Sequence, residues 1–293
     1  MADGTTGAAS DQDAIVDDVY EVVIVQYGTR LGHRAEVYLN YAIYGQDDGP
    51  IDMDYFVWVI RNANRTILVD TGFSPAGGAN RNRTFLRSLP EIYADLGIDT
   101  QAEQTIVVTH AHYDHIGNLD LFPKAQLVIA GAEYDFWASS MRERQQFAWS
   151  TEVEELDGLV AANEAGRVTR FSGSLELAPG IELIELGGHT PGQSTVRVRT
   201  SEGDVLLASD AIHYYEEYEA DMPFAYVADL PAMYEGFDRI RELVTTGGVE
   251  HLVSGHDPDT LNRFRRVTEG PLAGLAATIG TPATTAPTTK ATQ

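Results

Sequence analysis

The sequence predicts an α/β or α+β fold arranged as one domain, and three observations lead to this expectation. Short apolar runs rich in β-branched residues recur along the chain, and several alternate with the period of two that is typical of half-buried strands. Segments with apolar residues at helical spacing separate some of these runs. The chain has 293 residues, 43% of them hydrophobic and 22% charged, which is near the upper size of one hydrophobic core.

The predicted strands are the β-branched runs, taken in chain order. They cover residues 19–28, 55–60, 66–72, 105–110, 126–131, 181–188, 194–200, 204–210 and 250–256. A helix is predicted to begin at Pro90 and to end at Gly97. Another is predicted over 231–246, where four apolar side chains recur at helical spacing before two glycines.

Residues 133–166 differ from the rest because they lack strand alternation and are dense in helix formers, which predicts a helical insertion. Its aromatic residues are Tyr134, Phe136, Trp137, Phe147 and Trp149. They could pack in the core or at a dimer interface, or line a substrate pocket. The polar segments 1–18 and 276–293 are predicted to be disordered, so the predicted domain spans 19–275.

Composition excludes several classes of function. The formal charge of −24, from 44 acidic and 20 basic side chains, would repel phosphate backbones, so no nucleic-acid partner is expected. No apolar stretch is long enough for a membrane span, and the N-terminus does not read as a secretion signal, so a cytoplasmic protein is expected. Because the chain has no cysteine, it has no disulfide, no thiolate nucleophile and no Cys-ligated metal.

Five of the eight histidines fall in three places, each directly after a predicted strand. The densest is HAHYDHIG, where an extended backbone would project His110, His112 and Asp114 to one side. The adjacent His115 would then point elsewhere and could serve a second cation. Further candidates follow later strands: His189 in GGHTPG, Asp210 in LLASD and His256 in LVSGH.

Imidazole and carboxylate groups suit zinc, and they could also hold iron, manganese or cobalt. Each metal needs about four to five ligands, which residues from distant strands must complete. An isolated histidine is more often a surface or satisfied core residue. A run of HxHxDH followed by a Gly-flanked histidine, a strand-terminal aspartate and another Gly-flanked histidine favours a metal site instead.

The motif HAHYDHIG and the upstream TILVDTG resemble the metallo-β-lactamase superfamily over roughly residues 50–260. The resemblance implies a four-layer αββα sandwich with two divalent metal ions, expected to be Zn²⁺, at one edge. It implies that His110, His112 and His189 bind the first metal, that Asp114, His115 and His256 bind the second, and that Asp210 bridges them. Asp70 of VDTG would orient a ligand or shape the turn. Without cysteine, the chain cannot be a β-lactamase that uses a Cys ligand.

Within that superfamily the chain looks most like the N-acyl homoserine lactone lactonase branch, through the segments EVYLNYAIYG (36–45) and MDYFVWVI (53–60) and the Ala that follows Asp210. The implied reaction is the opening of a lactone ring, in an N-acyl homoserine lactone or a related lactone or ester. A hydroxide that bridges the metals would attack the carbonyl carbon. Asp114 or a metal-bound water would return a proton to the leaving alkoxide, or Asp114 would be a ligand only.

One position departs from that branch, which usually has a Tyr that polarises the carbonyl two residues after the Ala. Here His213 stands there, followed by Tyr214 and Tyr215. His213 could donate to the carbonyl or be incidental, and either tyrosine could take over or simply pack. The departure leaves open a different lactone or ester as substrate.

Other functions remain as competing hypotheses. A thioesterase of the glyoxalase II kind would use the same ligands, and a metal-dependent redox enzyme or a non-catalytic binding protein could share the fold. The acidic surface favours a neutral or amphipathic small-molecule substrate over a polyanion. Homodimerisation is expected from the resemblance and from the aromatic segment.

Overall fold

The computed structural model describes residues 18–281, which form two β-sheets packed face to face with helices on both outer sides. The first sheet has nine strands in the order β13-β14-β1-β2-β3-β5-β6-β7, with β4 paired to β1. They are β1 (Glu21–His33), β2 (Pro50–Arg61), β3 (Thr66–Val69), β4 (Thr84–Phe85), β5 (Thr105–Val107), β6 (Gln126–Ala130), β7 (Val168–Phe171), β13 (Arg265–Arg266) and β14 (Ala276–Ile279).

The second sheet has five strands in the order β12-β11-β10-β9-β8. They are β8 (Ser174–Ala178), β9 (Ile181–Glu185), β10 (Ser194–Thr200), β11 (Gly203–Ser209) and β12 (Val249–Ser254). All its pairs are antiparallel except β11 with β12, which run parallel.

Nine α-helices are present in the described chain. They are α1 (Arg34–Val37), α2 (Pro75–Asn80), α3 (Leu89–Asp95), α4 (Tyr113–Ile116), α5 (Gly131–Trp137), α6 (Gln145–Ala148), α7 (Val153–Glu164), α8 (Tyr215–Ala220) and α9 (Leu230–Thr245). None of the helices within residues 18–281 combines the length and apolarity that crossing a membrane requires.

Side-chain alternation along the strands produces the layers. In β1, Val22 and Ile24 belong to the core between the two sheets, whereas Val23 and Val25 belong to the core between the first sheet and helices such as α3 and α7. A third core packs α9 onto the outer face of the second sheet. The predicted αββα sandwich is therefore confirmed.

The predicted strands and the two predicted helices all have counterparts at closely matching positions. The predicted helical insertion is also helical, but it is the crossover from β6 to β7, which are parallel neighbours in the first sheet. Parallel neighbours cannot be joined by a tight hairpin, so a long helical connection is required there.

The prediction that disorder starts at residue 276 is wrong, because Ala276–Ile279 form β14 and pair with Val22–Val25 of β1. The alanines of β14 are fully buried. The run of two alanines, a threonine and an isoleucine gives too weak an apolar pattern to predict this strand from its own residues. Residues 1–17 and 282–293 lie outside the described part of the chain, so the rest of the predicted terminal segments falls there too.

Candidate metal centre

The carboxyl ends of neighbouring parallel strands bring the predicted ligands to one edge of the sandwich. In the first sheet, β3 and β5 run parallel and lead into Asp70 and His110. In the second sheet, β11 and β12 run parallel and lead into Asp210 and His256. His189 lies on the loop between β9 and β10. Loops at the carboxyl ends of strands are where open α/β sheets build sites.

The backbone is still extended at His112, the N-cap of helix α4, and becomes helical from Tyr113 on. The expectation that Asp114 projects beside His110 and His112 is therefore wrong. The helical turn sends Asp114 to the other side, where it lies near His115 and His256. The HxHxDH run thus supplies two clusters because its first half is extended and its second half is helical.

The first cluster contains His110, His112, His189 and Asp210, with one ligand atom from each within 4.8 Å of the others. His112 Nδ1 lies 3.1 Å from His110 Nε2 and 2.9 Å from His189 Nε2. Three ring nitrogens that face one another at this spacing, with an Asp210 carboxylate oxygen beside them, are arranged as the ligands of a cation are.

The second cluster contains Asp114, His115 and His256, again within 4.8 Å of one another. Asp210 lies between the two clusters. Its Oδ1 is 3.1 Å from His256 Nε2 and 3.3 Å from His115 Nε2. Its Oδ2 is 3.5 Å from His189 Nε2 and 3.6 Å from His110 Nε2. Each carboxylate oxygen of Asp210 therefore faces a different cluster.

Gly255 makes this position of Asp210 possible. A Cβ at residue 255 would fall 2.7 Å from Asp210 Oδ1 and equally close to the Ser209 carbonyl oxygen. Any side chain there would displace the carboxylate or the end of β11. The glycine before His256 is thus required by the close approach of the two strand ends.

In three of the rings, a hydrogen bond at the far nitrogen determines which nitrogen faces the clusters. The Nδ1 atoms of His189 and His256 each lie 2.7 Å from a backbone carbonyl oxygen, of Tyr226 and Asp54 respectively. His115 Nδ1 lies 2.7 Å from Asp70 Oδ2. Because carbonyl and carboxylate oxygens only accept, these Nδ1 atoms carry the protons, and Nε2 is left free to bind a metal.

Asp70 both orients a ligand and shapes a turn, which the sequence left as alternatives. It is fully buried with a positive φ of 61°, and it accepts hydrogen bonds from Thr109 N and Thr109 Oγ1, both at 2.8 Å, as well as from His115. Thr109 Oγ1 in turn lies 2.8 Å from Ser209 Oγ. This chain of contacts joins the ends of β3, β5 and β11 behind the metal ligands.

The protonation states suit metal binding. Burial lowers the pKa of His112 to about 3, and it lowers the pKa values of His110 and His189 well below the ordinary range. These rings are therefore neutral, as a ligand must be. For His115, burial also lowers the pKa, but the carboxylates of Asp210, Asp70 and Asp114 outweigh it and raise the pKa. That excess of negative charge is what a bound cation would neutralise.

His213 lies beside this centre, and its ring stacks on Phe224 at 3.7 Å between centroids. Its Nε2 is 3.0 Å from Asp210 Oδ2 without hydrogen-bond alignment, and its Nδ1 is 3.2 Å from Glu217 Oε2. Burial lowers the pKa of His213, but the carboxylates of Asp210 and Glu217 more than offset this and raise it to about 9.

The structure does not bring the hydroxyl groups of Tyr214 and Tyr215 to the centre. Tyr214 Oη donates to the Asp52 carbonyl oxygen at 3.2 Å, and Tyr215 Oη donates to the Leu252 carbonyl oxygen at 3.1 Å. Both rings are buried in apolar clusters. They pack against the core because α8 begins at Tyr215 and turns both side chains away from the ligands.

A narrow cavity opens onto both clusters, and it is also lined by residues that are not predicted metal ligands. These are Arg30, Met53, Tyr55, Arg83, Tyr113, Ser150, Phe224 and Tyr226, together with Trp149 of the predicted aromatic segment. The cavity volume is about 40 Å³, so side chains at its mouth must move to admit a substrate. Trp149 stacks on Tyr226 there, with ring centroids 4.8 Å apart.

The aromatic residues of 133–166 divide between the two roles that the sequence left open. Tyr134 and Trp137 are buried in the core. Trp149 lines the cavity and remains 48% exposed, so it lies at the rim. A dimer interface is not described by the single chain.

Glu133 is a second residue that sequence reasoning missed. Its buried carboxylate accepts hydrogen bonds from Ala111 N at 2.8 Å, Trp137 Nε1 at 2.6 Å and Gly192 N at 2.9 Å. These bonds tie the loop that carries His110 and His112 to the loop that carries His189. A lone glutamate in a helical segment carries no motif, so no local signal pointed to it.

Comparison with known proteins agrees with this arrangement. Residues 52–256 match the sequence profile of the metallo-beta-lactamase superfamily. The chain is 26% identical over 209 residues to an N-acyl homoserine lactonase of Bacillus sp., covering 66% of this chain and 78% of that protein. It is 28% identical over 242 residues to N-acyl homoserine lactonase AiiB of Agrobacterium fabrum, covering 75% of this chain and 85% of that protein.

Solved structures share the fold. A quorum-quenching N-acyl homoserine lactone lactonase superposes with a TM-score of 0.69 at 20% identity, covering 85% of this chain and 97% of that chain. AidC, a dizinc quorum-quenching lactonase, superposes with a TM-score of 0.62 at 20% identity, covering 83% of this chain and 89% of that chain. Together with the two His/Asp clusters, the sequence relatives support a metal-dependent hydrolase.

Proposed function

Because the chain belongs to the metallo-beta-lactamase superfamily, we propose that it is a hydrolase that uses two divalent metal ions to open the ring of a lactone. The substrate would be an N-acyl homoserine lactone or a related lactone or ester. Zinc is the proposed metal, because the donor set consists of neutral imidazoles and carboxylates. The similarity to N-acyl homoserine lactonases of Bacillus and Agrobacterium supports the choice of a lactone.

One observation carries this proposal: the two oxygens of Asp210 face two separate clusters of ring nitrogens at the base of one cavity. His110, His112 and His189 would hold one cation, and Asp114, His115 and His256 the other. Two such cations would supply a water of lowered pKa and would polarise the substrate carbonyl oxygen.

The chain's own groups would then orient the substrate and handle its protons. Asp114 lines the cavity with 8% of its surface exposed, so its carboxylate is placed to hold a proton for the leaving alkoxide. His213 also lines the cavity, and stacking on Phe224 fixes its ring. Its Nε2 lies 3.0 Å from Asp210 Oδ2 without hydrogen-bond alignment, and its proposed role is to donate to a substrate oxygen beside that carboxylate.

The proposed function is tested with purified protein, by metal analysis and by pH-stat assay against lactones, carboxylic esters, thioesters and bis-phosphodiesters. We expect about two metals per chain and acid release from lactones. Chelation should abolish the activity, and added Zn²⁺ should restore it. Turnover of thioesters without lactones would favour the glyoxalase II-like alternative, and bound iron with dioxygen consumption would favour a redox enzyme.

Replacing His213 by glutamine is expected to lower kcat by about 10²-fold, the usual loss when one donor to a developing oxyanion is removed. The variant should retain both metals and leave KM within about threefold. Tyr215→Phe is the matched control, since its hydroxyl bonds Leu252 away from the cavity. Loss of a metal from His213→Gln would instead make His213 a positioning residue for Asp210, and an unchanged kcat would remove both roles.

Homodimerisation and a cytoplasmic location stay predictions.

A further inference from the structure

Two arginines reach the cavity of the metal centre, although the chain as a whole is strongly acidic. Arg30 lies on β1 directly opposite Met53 of β2, and both side chains line the cavity. Arg83 reaches the same cavity from the turn between α2 and β4. The two guanidinium groups therefore enter one space from different elements.

Neither arginine forms an ion pair with a carboxylate within residues 18–281. The other arginines of the described chain mostly form ion pairs, as Arg34 does with Glu216 at 2.7 Å and Arg197 with Asp204 at 2.6 Å. Arg30 Nε is buried and has no hydrogen-bond partner in that range. A buried N–H without a partner costs free energy unless a ligand supplies the acceptor.

Arg83 is held in place by neutral groups. Its Nε donates to Tyr113 Oη at 2.8 Å, and its Nη1 donates to the Arg81 carbonyl oxygen at 2.7 Å. The next residue after Tyr113 is the cavity residue Asp114. The bonds orient the guanidinium without cancelling its charge, and Nη2 keeps its donors available because no described residue accepts from it.

The positive charges of Arg30 and Arg83 both act on the side chain of Tyr226, which lines the same cavity. Burial raises the pKa of Tyr226, and the positive charges of Arg30 and Arg83 oppose that rise. Tyr226 stacks on Trp149 at the rim and lines the cavity together with Arg30 and Arg83, so both guanidinium groups lie on the path of a substrate into the cavity. Paired guanidinium groups of this kind recognise carboxylates and phosphates through charge-assisted hydrogen bonds.

We propose that Arg30 and Arg83 bind an anionic substituent of the substrate, a carboxylate or a phosphate, carried on the part of the lactone or ester that is not cleaved. This inference rests on the proposed hydrolase function and narrows its substrate class to the related lactones or esters, since an N-acyl homoserine lactone carries no anionic group before its ring opens. It revises the expectation of a neutral or amphipathic substrate, because two arginines line the cavity although the chain as a whole is acidic.

The test compares a lactone that carries a free carboxylate with the primary amide and the phosphate analogue of the same compound. We expect kcat/KM to be at least about tenfold higher for one of the anions than for the amide, with the preference shrinking at high salt. The ratio of kcat/KM for the carboxylate to kcat/KM for the phosphate analogue then identifies the preferred anion. Equal rates for the anions and the amide would overturn the inference.

Arg30→Gln and Arg83→Gln should each lower kcat/KM for the preferred anion at least about tenfold more than they lower kcat/KM for the amide. Arg170→Gln is the control, since Arg170 pairs with Asp135 on the surface. Arg83→Lys keeps the charge and should retain most of the preference even if the Tyr113 bond is lost. Equal losses for anion and amide would show a structural role and overturn the inference.

A binding measurement separates this inference from the proposed function. Glutarate, which is not hydrolysable, should raise the Tm of the metal-loaded protein more than glutaramide does, and this difference should disappear in Arg30→Gln. If no lactone or ester is hydrolysed while the glutarate effect depends on Arg30, the proposed function fails and the anion site stands. If lactones are hydrolysed but glutarate has no effect in any variant, the anion site fails alone.

Discussion

Replacing Asp210 by alanine is expected to remove at least one metal per chain and to lower kcat/KM by at least about 10³-fold. Oδ1 of this residue faces His115 and His256, and Oδ2 faces His110 and His189, so one carboxylate serves both clusters. No other carboxylate in the described chain lies between them. A loss of several kcal/mol of transition-state stabilisation corresponds to that change in rate.

The measurement combines metal content by mass spectrometry with pH-stat rates on the best lactone. Asp210→Asn keeps the volume and one acceptor oxygen, so it should lose less metal than Asp210→Ala while remaining strongly impaired. Asp120→Ala, which changes an exposed aspartate after the HxHxDH run, is the control and should behave like the parent. An Asp210→Ala protein that retains both metals and the parent rate would refute the bridging assignment.

Replacing Glu133 by alanine is expected to destabilise the fold by about 4 kcal/mol, because three buried donors lose their acceptor. Those donors are the backbone amides of Ala111 and Gly192 and the indole nitrogen of Trp137. For a chain of this size, the loss corresponds to a fall in Tm of roughly 8–16 °C. Metal affinity should fall as well, since the loops carrying His110, His112 and His189 are no longer tied together.

Thermal unfolding followed by circular dichroism measures this effect. Glu103→Ala removes an exposed loop carboxylate and should change Tm by less than about 2 °C. Glu133→Gln keeps one acceptor oxygen but turns an amide group toward one of the donors, so its Tm should lie between those of the parent and Glu133→Ala. Glu133→Ala with the parent Tm would show that these three hydrogen bonds contribute nothing net to stability.

The layers of the fold were readable from the sequence because strand alternation is a local pattern. Val22 to Val25 alternate between two cores, and the helix at Leu230–Thr245 presents an apolar face, as their periodicities predict. Strand β14 was not readable, since Ala276–Ile279 have no alternation and depend on pairing with β1. Elements stabilised mainly by a distant partner leave little trace in their own residues.

The candidate metal ligands could be predicted from the sequence for a related reason. Imidazoles and carboxylates that directly follow β-strands are brought together by any sheet in which those strands run parallel, as β3 with β5 and β11 with β12 do. The residue types and their positions after strands are both visible in the amino-acid order, and the seven named side chains do lie together at one edge.

What the amino-acid order left open was direction: which way each side chain points once the backbone bends. The turn into helix α4 at Tyr113 moved Asp114 to the side of His115, and helix α8 turned Tyr214 and Tyr215 into the core. Glu133, Arg30 and Arg83 became visible only in three dimensions, because their partners or their cavity come from segments far away in the chain. The types of residue available for chemistry can be read from the amino-acid sequence. The direction in which a side chain points, and whether a charged side chain has an ion-pair partner, depend on how the chain packs.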